Sequence, residues 1–340
     1  MLNRVYRLVE PRVVEPVEVS VAIDENVIAV RPTHLSICNA DMRYYLGRRS
    51  PEALAKKLPM ALIHEGIGHV AFDHMGEFAP GTPVVMLPND PVETDDVIAE
   101  NYLRSSRFCG SGFDGFMQEL CVLPRARVLA LPDGIDPHVA AFTELVSVTV
   151  HTVSRFDRIA HARRDVVGVW GDGNVGFITA LVLRMRFPDM RIVVFGRNSY
   201  KLADFTFADT YLTTEADRAP QIDHAFECCG GDGSVAAIDQ IIDKIHPEGT
   251  IALMGVSENP VPINTRMVLE KGLRVYGSSR SGRADFQNTL SLYREHPEMV
   301  DYLSALVGTV VPVSSIKDIA SAFDADTKKS MGKTIMEWNM

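Results

Sequence analysis

The first part of the chain consists of short apolar runs that are separated by Gly and Pro. These runs are rich in Val and Ile, and they include VIAVRPTHLSIC, GHVAFD, GTPVVMLP and RVLALPDG. Short apolar runs bounded by Gly and Pro are typical of β-strands. The next run, HVAAFTELVSVTVHTVSRF, has apolar residues at helical spacing and no helix breaker, so it predicts a helix.

Further along the chain, predicted strands alternate with predicted helices. RDVVGVWGDGNVGFITALVLRMRF combines an apolar strand, a Gly-rich turn and an apolar helix. Four more strands are predicted in RIVVFGR, IDHAFECCGG, GTIALMGV and LRVYGSSRSG, with a helix in GSVAAIDQIIDKI. Such alternation is typical of a parallel sheet with helices on its faces. The tail adds a helix in ADFQNTLSLYREH and a strand in GKTIMEW.

These patterns predict an α/β protein with two domains, and 340 residues are enough for both. Residues 1–146 and 284–340 are predicted to form a β-rich domain. Residues 147–283 are predicted to form a Rossmann domain, which is a doubly wound parallel sheet.

Composition and charge narrow the class of protein. A hydrophobic share of 46% and a charged share of 23% are typical of a globular enzyme. The net charge of -10, without a long Lys or Arg run, argues against nucleic acid and anionic membranes as partners. The N-terminus lacks the apolar core of a signal peptide, so we expect a cytoplasmic protein. The cysteines are odd in number and scattered, which argues against a disulfide framework.

The Gly-rich turn from Gly171 to Gly176 fits the pattern G-x-G-x-x-G. The pattern alone is weak, and a turn without a ligand would also fit it. Here it follows an apolar strand and opens an apolar helix, which is the context of a dinucleotide site. The free N–H groups of the helix N-terminus favour a pyrophosphate. The cofactor-binding residues predicted in this turn are Gly171, Gly173, Asn174, Val175 and Gly176.

The end of the second Rossmann strand indicates which nucleotide binds. NAD-binding proteins usually have an Asp or Glu there for the ribose 2′-hydroxyl. This chain has Gly196 and Arg197 instead. Arg197 can pair with a 2′-phosphate, and Lys201 can add charge, so the sequence favours NADPH over NADH. The alternative is that Arg197 is a solvated surface residue.

Four residues have the side chains of a zinc site. Cys38 follows a predicted strand, His64 and Glu65 lie side by side in LIHEGIG, and Glu144 lies near the start of a predicted helix. A thiolate, an imidazole and two carboxylates suffice for a tetrahedral site that exchanges one carboxylate for water or substrate. Each residue also has an ordinary explanation, namely a buried thiol, a core histidine or a helix-start charge. Linear spacing does not prove that the four converge.

Taken together, these residues give the chain a resemblance to the zinc-dependent medium-chain dehydrogenases along its whole length. The landmarks are CNAD, HEGIG, Glu144, GDGNVG and GKTIM. The resemblance implies that the β-rich domain is GroES-like and catalytic, with zinc held by Cys38, His64 and Glu144. It also implies that Glu65 is a ligand that can swap with water, and that Asp41 braces the metal-bound imidazole.

Longer stretches resemble the ribulose-5-phosphate reductases. They are RPTHLSICNADMRYYLGRR, KLPMALIHEGIG, VIAENYLRSS, GFDGFMQE, FECCGGDGS and NTRMVLEKGLRVYGSSRSG. This resemblance implies reduction of D-ribulose 5-phosphate to D-ribitol 5-phosphate with NADPH, zinc polarising the C2 carbonyl. The product would feed CDP-ribitol synthesis for teichoic acid or capsule, with a cytidylyltransferase as a functional partner. We also expect a homodimer.

Two positions depart from the wider family. Members with a structural zinc hold it with four cysteines, whereas residues 89–112 contain only Cys109, so no structural zinc is expected. Ala40 stands where many alcohol dehydrogenases have a Ser or Thr that relays the proton. The proton route is therefore open between a zinc-bound water, Glu65 and a substrate hydroxyl.

The substrate phosphate needs cationic or N–H partners. Arg43 is the first choice, because it is nearest in sequence to Cys38, whereas Arg48 and Arg49 in the same turn or the segment SSRSG are alternatives. Two other functions stay open. One is a sorbitol- or xylitol-type polyol dehydrogenase on the same fold, and the other is a zinc-free NADP-binding protein that acts as a sensor or structural subunit.

Overall fold

The computed structural model describes residues 1–340 and divides them into two compact units. Unit 1 comprises Met1–Ser147 and Ser281–Met340, and unit 2 comprises Val148–Arg280. Unit 1 is rich in β-strands and unit 2 is built on a parallel sheet, so the predicted α/β fold class is confirmed. No helix combines the length and apolarity needed to cross a bilayer.

The first part of unit 1 consists mainly of strands with short helices between them. Its strands are β1 (Leu2–Glu10), β2 (Val13–Ser20), β3 (Val27–Ser36), β4 (Met60–Ala61), β5 (Glu65–Asp73), β6 (Pro83–Met86), β7 (Asn89–Asp90), β8 (Arg107–Phe108), β9 (Cys121–Pro124) and β10 (Val128–Ala130). Its helices are α1 (Asn39–Tyr45), α2 (Pro51–Lys57), α3 (Pro137–Ala140) and the start of α4 (Thr143–Ile159), with 3₁₀ turns at Glu100–Tyr102 and Arg125–Arg127.

Unit 2 follows with strands and helices in alternation. Its strands are β11 (Val166–Trp170), β12 (Arg191–Gly196), β13 (Asp209–Leu212), β14 (Ile222–Glu227), β15 (Ile245–Leu253) and β16 (Arg274–Gly277). Its helices are α5 (Asn174–Arg186), α6 (Ser199–Leu202), α7 (Gly233–Lys244) and α8 (Thr265–Glu270), with a 3₁₀ turn at Thr213–Arg218. The chain then completes unit 1 with α9 (Arg283–Glu295), α10 (Pro297–Ser304), β17 (Val307–Val313), α11 (Ile316–Lys328) and β18 (Lys333–Trp338).

The main sheet of unit 1 has seven strands in the order β10-β6-β5-β3-β18-β17, with β9 also paired to β3. The C-terminal strand β18 lies between β3 and β17, antiparallel to the first and parallel to the second. Strands β2, β1 and β4 form a smaller sheet. Buried apolar side chains from both parts of the unit form one core, in which the rings of Tyr45 and Phe323 stack at 4.2 Å. The C-terminal strand is therefore an internal strand of the main sheet.

The sheet of unit 2 is parallel throughout and has the order β13-β12-β11-β14-β15-β16. Counted within the unit this is 3-2-1-4-5-6, the strand order of a Rossmann fold. The order reverses between β11 and β14, so nucleotide-binding loops belong at the C-terminal ends of these strands. Strand β16 forms one edge of the sheet.

The structure differs from the predicted elements in one helix. The sequence predicted a single helix in HVAAFTELVSVTVHTVSRF, whereas the structure has α3 and α4 with a break between them. At the break, the Phe142 N–H donates to Val139 O at 3.2 Å, one residue short of the α-helical partner. The tighter turn ends α3, and the Thr143 hydroxyl donates to Ala140 O at 2.8 Å. Apolar spacing alone does not reveal such a break.

Candidate active site

Cys38, His64 and Glu65 converge at one end of the paired strands β3 and β5. Glu65 opens β5 opposite Ser36, the last residue of β3, and Cys38 follows two residues later as the N-cap of α1. One potential ligand atom from each of the three residues lies within 4.8 Å of the others. His64 and Glu65 are buried and Cys38 is half-buried. Antiparallel pairing of β3 and β5 thus brings together residues that lie 26 positions apart in the sequence.

Asp41 connects the two segments that carry these residues. One carboxylate oxygen accepts the Cys38 N–H at 3.0 Å, and the other accepts the Ile63 N–H at 3.0 Å. The second oxygen also lies 3.4 Å from His64 Nδ1. This contact leaves Nε2 of the imidazole for a metal ion, as is usual for metal-binding histidines. Asp41 is fully buried, and it lies where the sequence predicted an acid that braces the imidazole.

The backbone before His64 is strained. Ile63 has a φ of 72°, which is unusual for a β-branched residue and costs roughly 1–3 kcal/mol. Its N–H is held by Asp41, and its carbonyl accepts the Phe116 N–H at 2.7 Å. A side chain at Gly115 would lie 2.3 Å from that carbonyl, so only glycine allows this approach. The surroundings therefore hold a backbone conformation that positions the imidazole.

Glu65 is held by residues that the sequence did not single out. Its Oε2 accepts the Ser36 hydroxyl at 2.8 Å, and its Oε1 accepts Lys333 Nζ at 2.9 Å. All three side chains are buried. Lys333 begins β18, which lies beside β3, so the position of the C-terminal strand brings the lysine to the site.

Glu144, in the first turn of α4, is buried but is not part of the group formed by Cys38, His64 and Glu65. Its environment shows that it lies near that group. Burial raises the pKa of Glu144, and the charges of Glu65 and Asp41 raise it further, whereas His64 and Lys333 lower it. Glu144 is therefore a buried carboxyl group within the electrostatic field of the site.

The donor set suits a zinc ion. Burial lowers the pKa of His64, but Asp41 and Cys38 together raise it well above its ordinary value, because both favour a positive charge at the imidazole. A thiol, an imidazole and carboxyl groups are the ligands that zinc prefers. The residues present thus form a buried site that favours a cation, and they fit the metal that the sequence predicts.

The Gly-rich turn in unit 2 has the geometry of a nucleotide-binding turn. Gly171 has a φ of 135°, and a side chain there would meet Cys228 O at 2.9 Å. A side chain at Gly176 would lie 1.9 Å from Gly171 O, so the turn and α5 can pack this closely only without one. Gly173, the N-cap of α5, faces open space. The turn therefore offers an open helix N-terminus that a phosphate group can approach.

Asp172 shapes the loop that carries Arg197. Its Oδ2 accepts the Arg197 N–H at 2.7 Å and the Asn198 N–H at 2.8 Å. A side chain at Gly196 would lie 2.6 Å from Asp172 Cβ. The close packing of Asp172 is therefore enough to explain the glycine at position 196, whether or not a phosphate binds there. The Arg197 side chain is exposed, and Lys201 lies half-buried in α6 with its ammonium 5.9 Å from the Tyr200 ring centroid.

The arginine that the sequence favoured for the substrate phosphate is half-buried in the last turn of α1. The assignment of Arg43 to the substrate phosphate stays a prediction. A second basic residue, Lys57, donates to Tyr44 Oη at 2.9 Å and to Ser111 Oγ at 2.8 Å.

The segment 89–112 is attached to the rest of unit 1 by an ion pair. Arg127 donates to Glu100 at 2.9 Å, and the Arg283 N–H donates to the same carboxylate at 2.5 Å.

Burial raises the pKa of the Cys109 thiol to about 12, so this thiol carries no charge at neutral pH. The prediction that a structural zinc is absent stays a prediction.

Sequence reasoning missed the roles of Ser36, Asp172 and Lys333. Lys333 lies in GKTIM, where a charged residue begins an apolar strand. A lysine is rarely buried without an acidic partner, so this placement could have indicated a buried carboxylate beside it. Ser36 lies in an apolar run, and nothing in the sequence distinguishes it. Asp172 lies inside the Gly-rich turn, where an acid facing a pyrophosphate could have suggested an internal partner.

The chain is similar to known proteins along its whole length. The family model of the zinc-binding dehydrogenases matches residues 189–295, and that of the alcohol dehydrogenase GroES-like domain matches residues 24–133. A ribulose-5-phosphate reductase of Bacillus spizizenii is 55% identical, and ribulose-5-phosphate reductase 1 of Staphylococcus aureus is 50% identical. Each alignment covers 100% of both chains. The crystal structure of S. aureus TarJ in complex with NADPH is 46% identical, with a TM-score of 0.90 and 100% coverage of both chains.

Proposed function

Because this chain belongs to the family of zinc-binding dehydrogenases and is close to the ribulose-5-phosphate reductases, we propose that it reduces D-ribulose 5-phosphate to D-ribitol 5-phosphate with NADPH. The observation that carries the proposal is the convergence of Cys38, His64 and Glu65 in a chain that matches these reductases from end to end. Residues 1–146 and 284–340 serve as the catalytic domain and residues 147–283 as the NADP-binding domain.

The catalytic zinc is assigned to Cys38, His64 and Glu144, with Glu65 as the ligand that exchanges. When bound, zinc supplies a Lewis acid that stabilises negative charge on the C2 oxygen of the substrate during reduction. Asp41 fixes the orientation of the imidazole through Nδ1 and anchors the Cys38 N–H. Ser36 and Lys333 hold the carboxylate of Glu65.

The reduced oxygen at C2 must gain a proton. Ala40 carries no hydroxyl, so it cannot supply one. We assign this step to a relay through Glu65: its carboxylate accepts hydrogen bonds from the hydroxyl of Ser36 and the ammonium of Lys333, so a proton from one of these donors passes to Glu65 and from Glu65 to the substrate oxygen. Its surroundings are buried, which keeps bulk water away from the transfer.

NADPH is assigned to unit 2, where it supplies the hydride. The open N-terminus of α5 at Gly173, together with Asn174 and Val175, binds the pyrophosphate. The exposed Arg197, with Lys201 from α6, pairs with the 2′-phosphate. The pairing of Asp172 with the loop N–H groups supports this role, because it holds the loop of Arg197 in place.

The substrate phosphate is assigned to Arg43, which lies in the last turn of α1, the helix that Cys38 caps. A guanidinium can bind a phosphate bidentately, which favours a phosphorylated ketose over a free polyol.

The partners and location are part of the same proposal. Strand β16 is an edge of the unit 2 sheet. Val275 within this strand and Leu269 in the preceding helix α8 are exposed, so this edge suits a homodimer contact. The product would pass to a cytidylyltransferase that forms CDP-ribitol for teichoic acid or capsule. All five cysteines are free thiols, which suits the reducing conditions of the cytoplasm.

The test is oxidation of NADPH by the purified protein with D-ribulose 5-phosphate, with NADH measured in parallel. We expect turnover with NADPH that stops when zinc is removed and returns when zinc is added. The variant His64→Asn should lose turnover, whereas His74→Asn, which changes an exposed histidine of the same unit, should keep it.

Two results would overturn parts of the proposal. A zinc-loaded protein without turnover on D-ribulose 5-phosphate would exclude this substrate, and unphosphorylated polyols and ketoses would be screened next. Turnover that is unaffected by zinc removal would exclude the metal site formed by Cys38, His64 and Glu144.

A further inference from the structure

We propose that His34, His138 and Glu337 form a second metal site in unit 1, which takes a divalent transition ion such as Zn²⁺. One potential ligand atom from each residue lies within 4.8 Å of the other two. All three residues are half-buried, so an ion can reach them from solvent. Two imidazoles and one carboxylate are ligands that bind zinc with an open position for water.

The fold brings these residues together from three elements. His34 in β3 and Glu337 in β18 are direct partners in the antiparallel ladder, so both side chains project from the same face of the sheet. His138 comes from the first turn of α3, and its Nε2 lies 3.1 Å from Glu337 Oε1. The rings of His34 and His138 are 5.2 Å apart between centroids and nearly perpendicular.

Both imidazoles have their other nitrogen next to an oxygen. His138 Nδ1 lies 3.2 Å from Asp136 Oδ1, and His34 Nδ1 lies 3.2 Å from Thr33 Oγ1. A histidine that binds metal usually donates its second ring N–H to a carboxylate or another oxygen, which fixes the tautomer. The same arrangement here assigns Nε2 of each ring to the ion. Asp136 and Thr33 are then positioning residues for the two ligands.

A simpler arrangement must be excluded. A protonated His138 between Asp136 and Glu337 would make the same two contacts without any metal. That arrangement does not need His34, because a second imidazole has no negative charge that would stabilise the protonated ring of His138. The ladder position of His34 opposite Glu337 is what completes a three-ligand set, so His34 distinguishes a metal site from an ion pair.

The proposed site is separate from the active site. Glu337 lies four residues after Lys333 on the same strand, which corresponds to roughly 13 Å. An ion at the second site would join β3, β18 and α3, so we expect it to stabilise the C-terminal strand without taking part in hydride transfer. Its ligands contain no thiol, unlike the set that includes Cys38.

The experiment measures metal content and cobalt spectra on the full chain. The metal-free protein is dialysed against Zn²⁺, and the bound ions are counted by mass spectrometry. We expect two ions per chain for the unchanged protein and one ion, with full turnover, for both His138→Asn and Glu337→Gln. Cobalt bound to Cys38→Ser should show no thiolate charge-transfer band while one ion per chain remains bound.

A matched control is His74→Asn, which removes an exposed histidine and should still bind two ions. One ion per chain in the unchanged protein that is still bound in His138→Asn and Glu337→Gln would overturn the proposal, and so would two ions in either variant. His34→Asn provides the last check, because loss of one ion there requires a metal site, whereas the ion-pair arrangement predicts no change. These results do not depend on which substrate the active site reduces.

Discussion

Lys333, at the start of the last strand, lies 2.8 Å from Glu65, at the start of β5, and both side chains are almost completely buried. The two residues are 268 positions apart. The pair joins the C-terminal strand to the segment that carries His64. Two charges removed from water in this way depend on each other, because either one alone would be uncompensated.

Removing one member of this pair should therefore destabilise the protein. We expect Lys333→Met to lower the free energy of unfolding by about 3–5 kcal/mol, because it leaves the carboxylate of Glu65 buried without its partner. Urea unfolding of the metal-free protein measures this change. The control Lys328→Met alters an exposed lysine of α11 and should change stability little.

The double variant Lys333→Met/Glu65→Gln tests the cause. If the loss comes from an uncompensated charge, the double variant should be more stable than Lys333→Met alone. Equal or lower stability would show that packing of the lysine stem, rather than charge, matters at this position.

Asp41 should control the affinity of the site for zinc. Asp41→Asn keeps the size of the side chain but removes the negative charge that orients His64. An amide has a single acceptor oxygen, so Asn cannot accept both the Cys38 and the Ile63 N–H groups. We expect zinc affinity to fall roughly 10–100-fold, measured by competition with a chelator. Asp324→Asn, an exposed acid in the same unit, serves as the control. Unchanged affinity in Asp41→Asn would contradict the orienting role.

Two glycines of the nucleotide turn should respond differently to alanine. Gly176→Ala would place a methyl group 1.9 Å from Gly171 O, so we expect a loss of about 3 kcal/mol or more in unfolding free energy. Gly173→Ala meets no atom and has extended backbone angles, so it should fold normally. The KM of Gly173→Ala for NADPH should still rise about tenfold, because the added methyl group blocks the approach of the pyrophosphate. Normal NADPH kinetics in Gly173→Ala would place the pyrophosphate elsewhere.

The choice between NADPH and NADH should depend on Arg197. We expect Arg197→Ala to raise the KM for NADPH roughly 10–100-fold, because a charged hydrogen bond to the 2′-phosphate is lost. The KM for NADH should not change. Arg191→Ala, which removes an exposed arginine from the start of β12, the strand that Arg197 follows, is the matched control. Equal effects on both cofactors would assign the 2′-phosphate to other residues.

The stability of unit 2 should depend on pH through His224. Burial first, and the nearby His161 next, lower the pKa of His224 to about 4. Its Nδ1 accepts the Thr250 N–H at 3.1 Å, and its Nε2 lies 3.0 Å from Arg163 O, so the neutral ring is the form that the fold holds. Between pH 6.5 and pH 4 the unfolded chain binds a proton that the folded chain does not, so stability falls as pH falls.

Urea unfolding at pH 7 and pH 5 measures this dependence. We expect His224 to account for a loss of about 1–2 kcal/mol between the two values, and the variant His224→Gln to lack that part of the loss. His74→Gln should keep the dependence of the unchanged protein, because that histidine is exposed in both states. An identical pH dependence in His224→Gln would rule out His224 as its source.

The elements and the nucleotide turn could be predicted because their causes are local. Apolar spacing predicted β3, β12 and α5. The turn from Gly171 to Gly176 could be predicted because close packing at the turn itself leaves no room for side chains at these two glycines. The GroES-like and zinc-binding dehydrogenase assignments followed from the same motifs and are confirmed by the family models. The break between α3 and α4 was missed because it leaves the apolar spacing intact.

The amino-acid sequence by itself determined the two-domain α/β fold, the family and the residue types available for a metal site. Only the tertiary structure decided which side chains meet. Lys333 reaches Glu65, and Glu337 reaches His34, because β18 is inserted beside β3. Asp41 serves two segments because α1 lies against the backbone before His64. Which distant strands become neighbours depends on packing across the whole unit, and the spacing of residues within one strand does not reveal its partner.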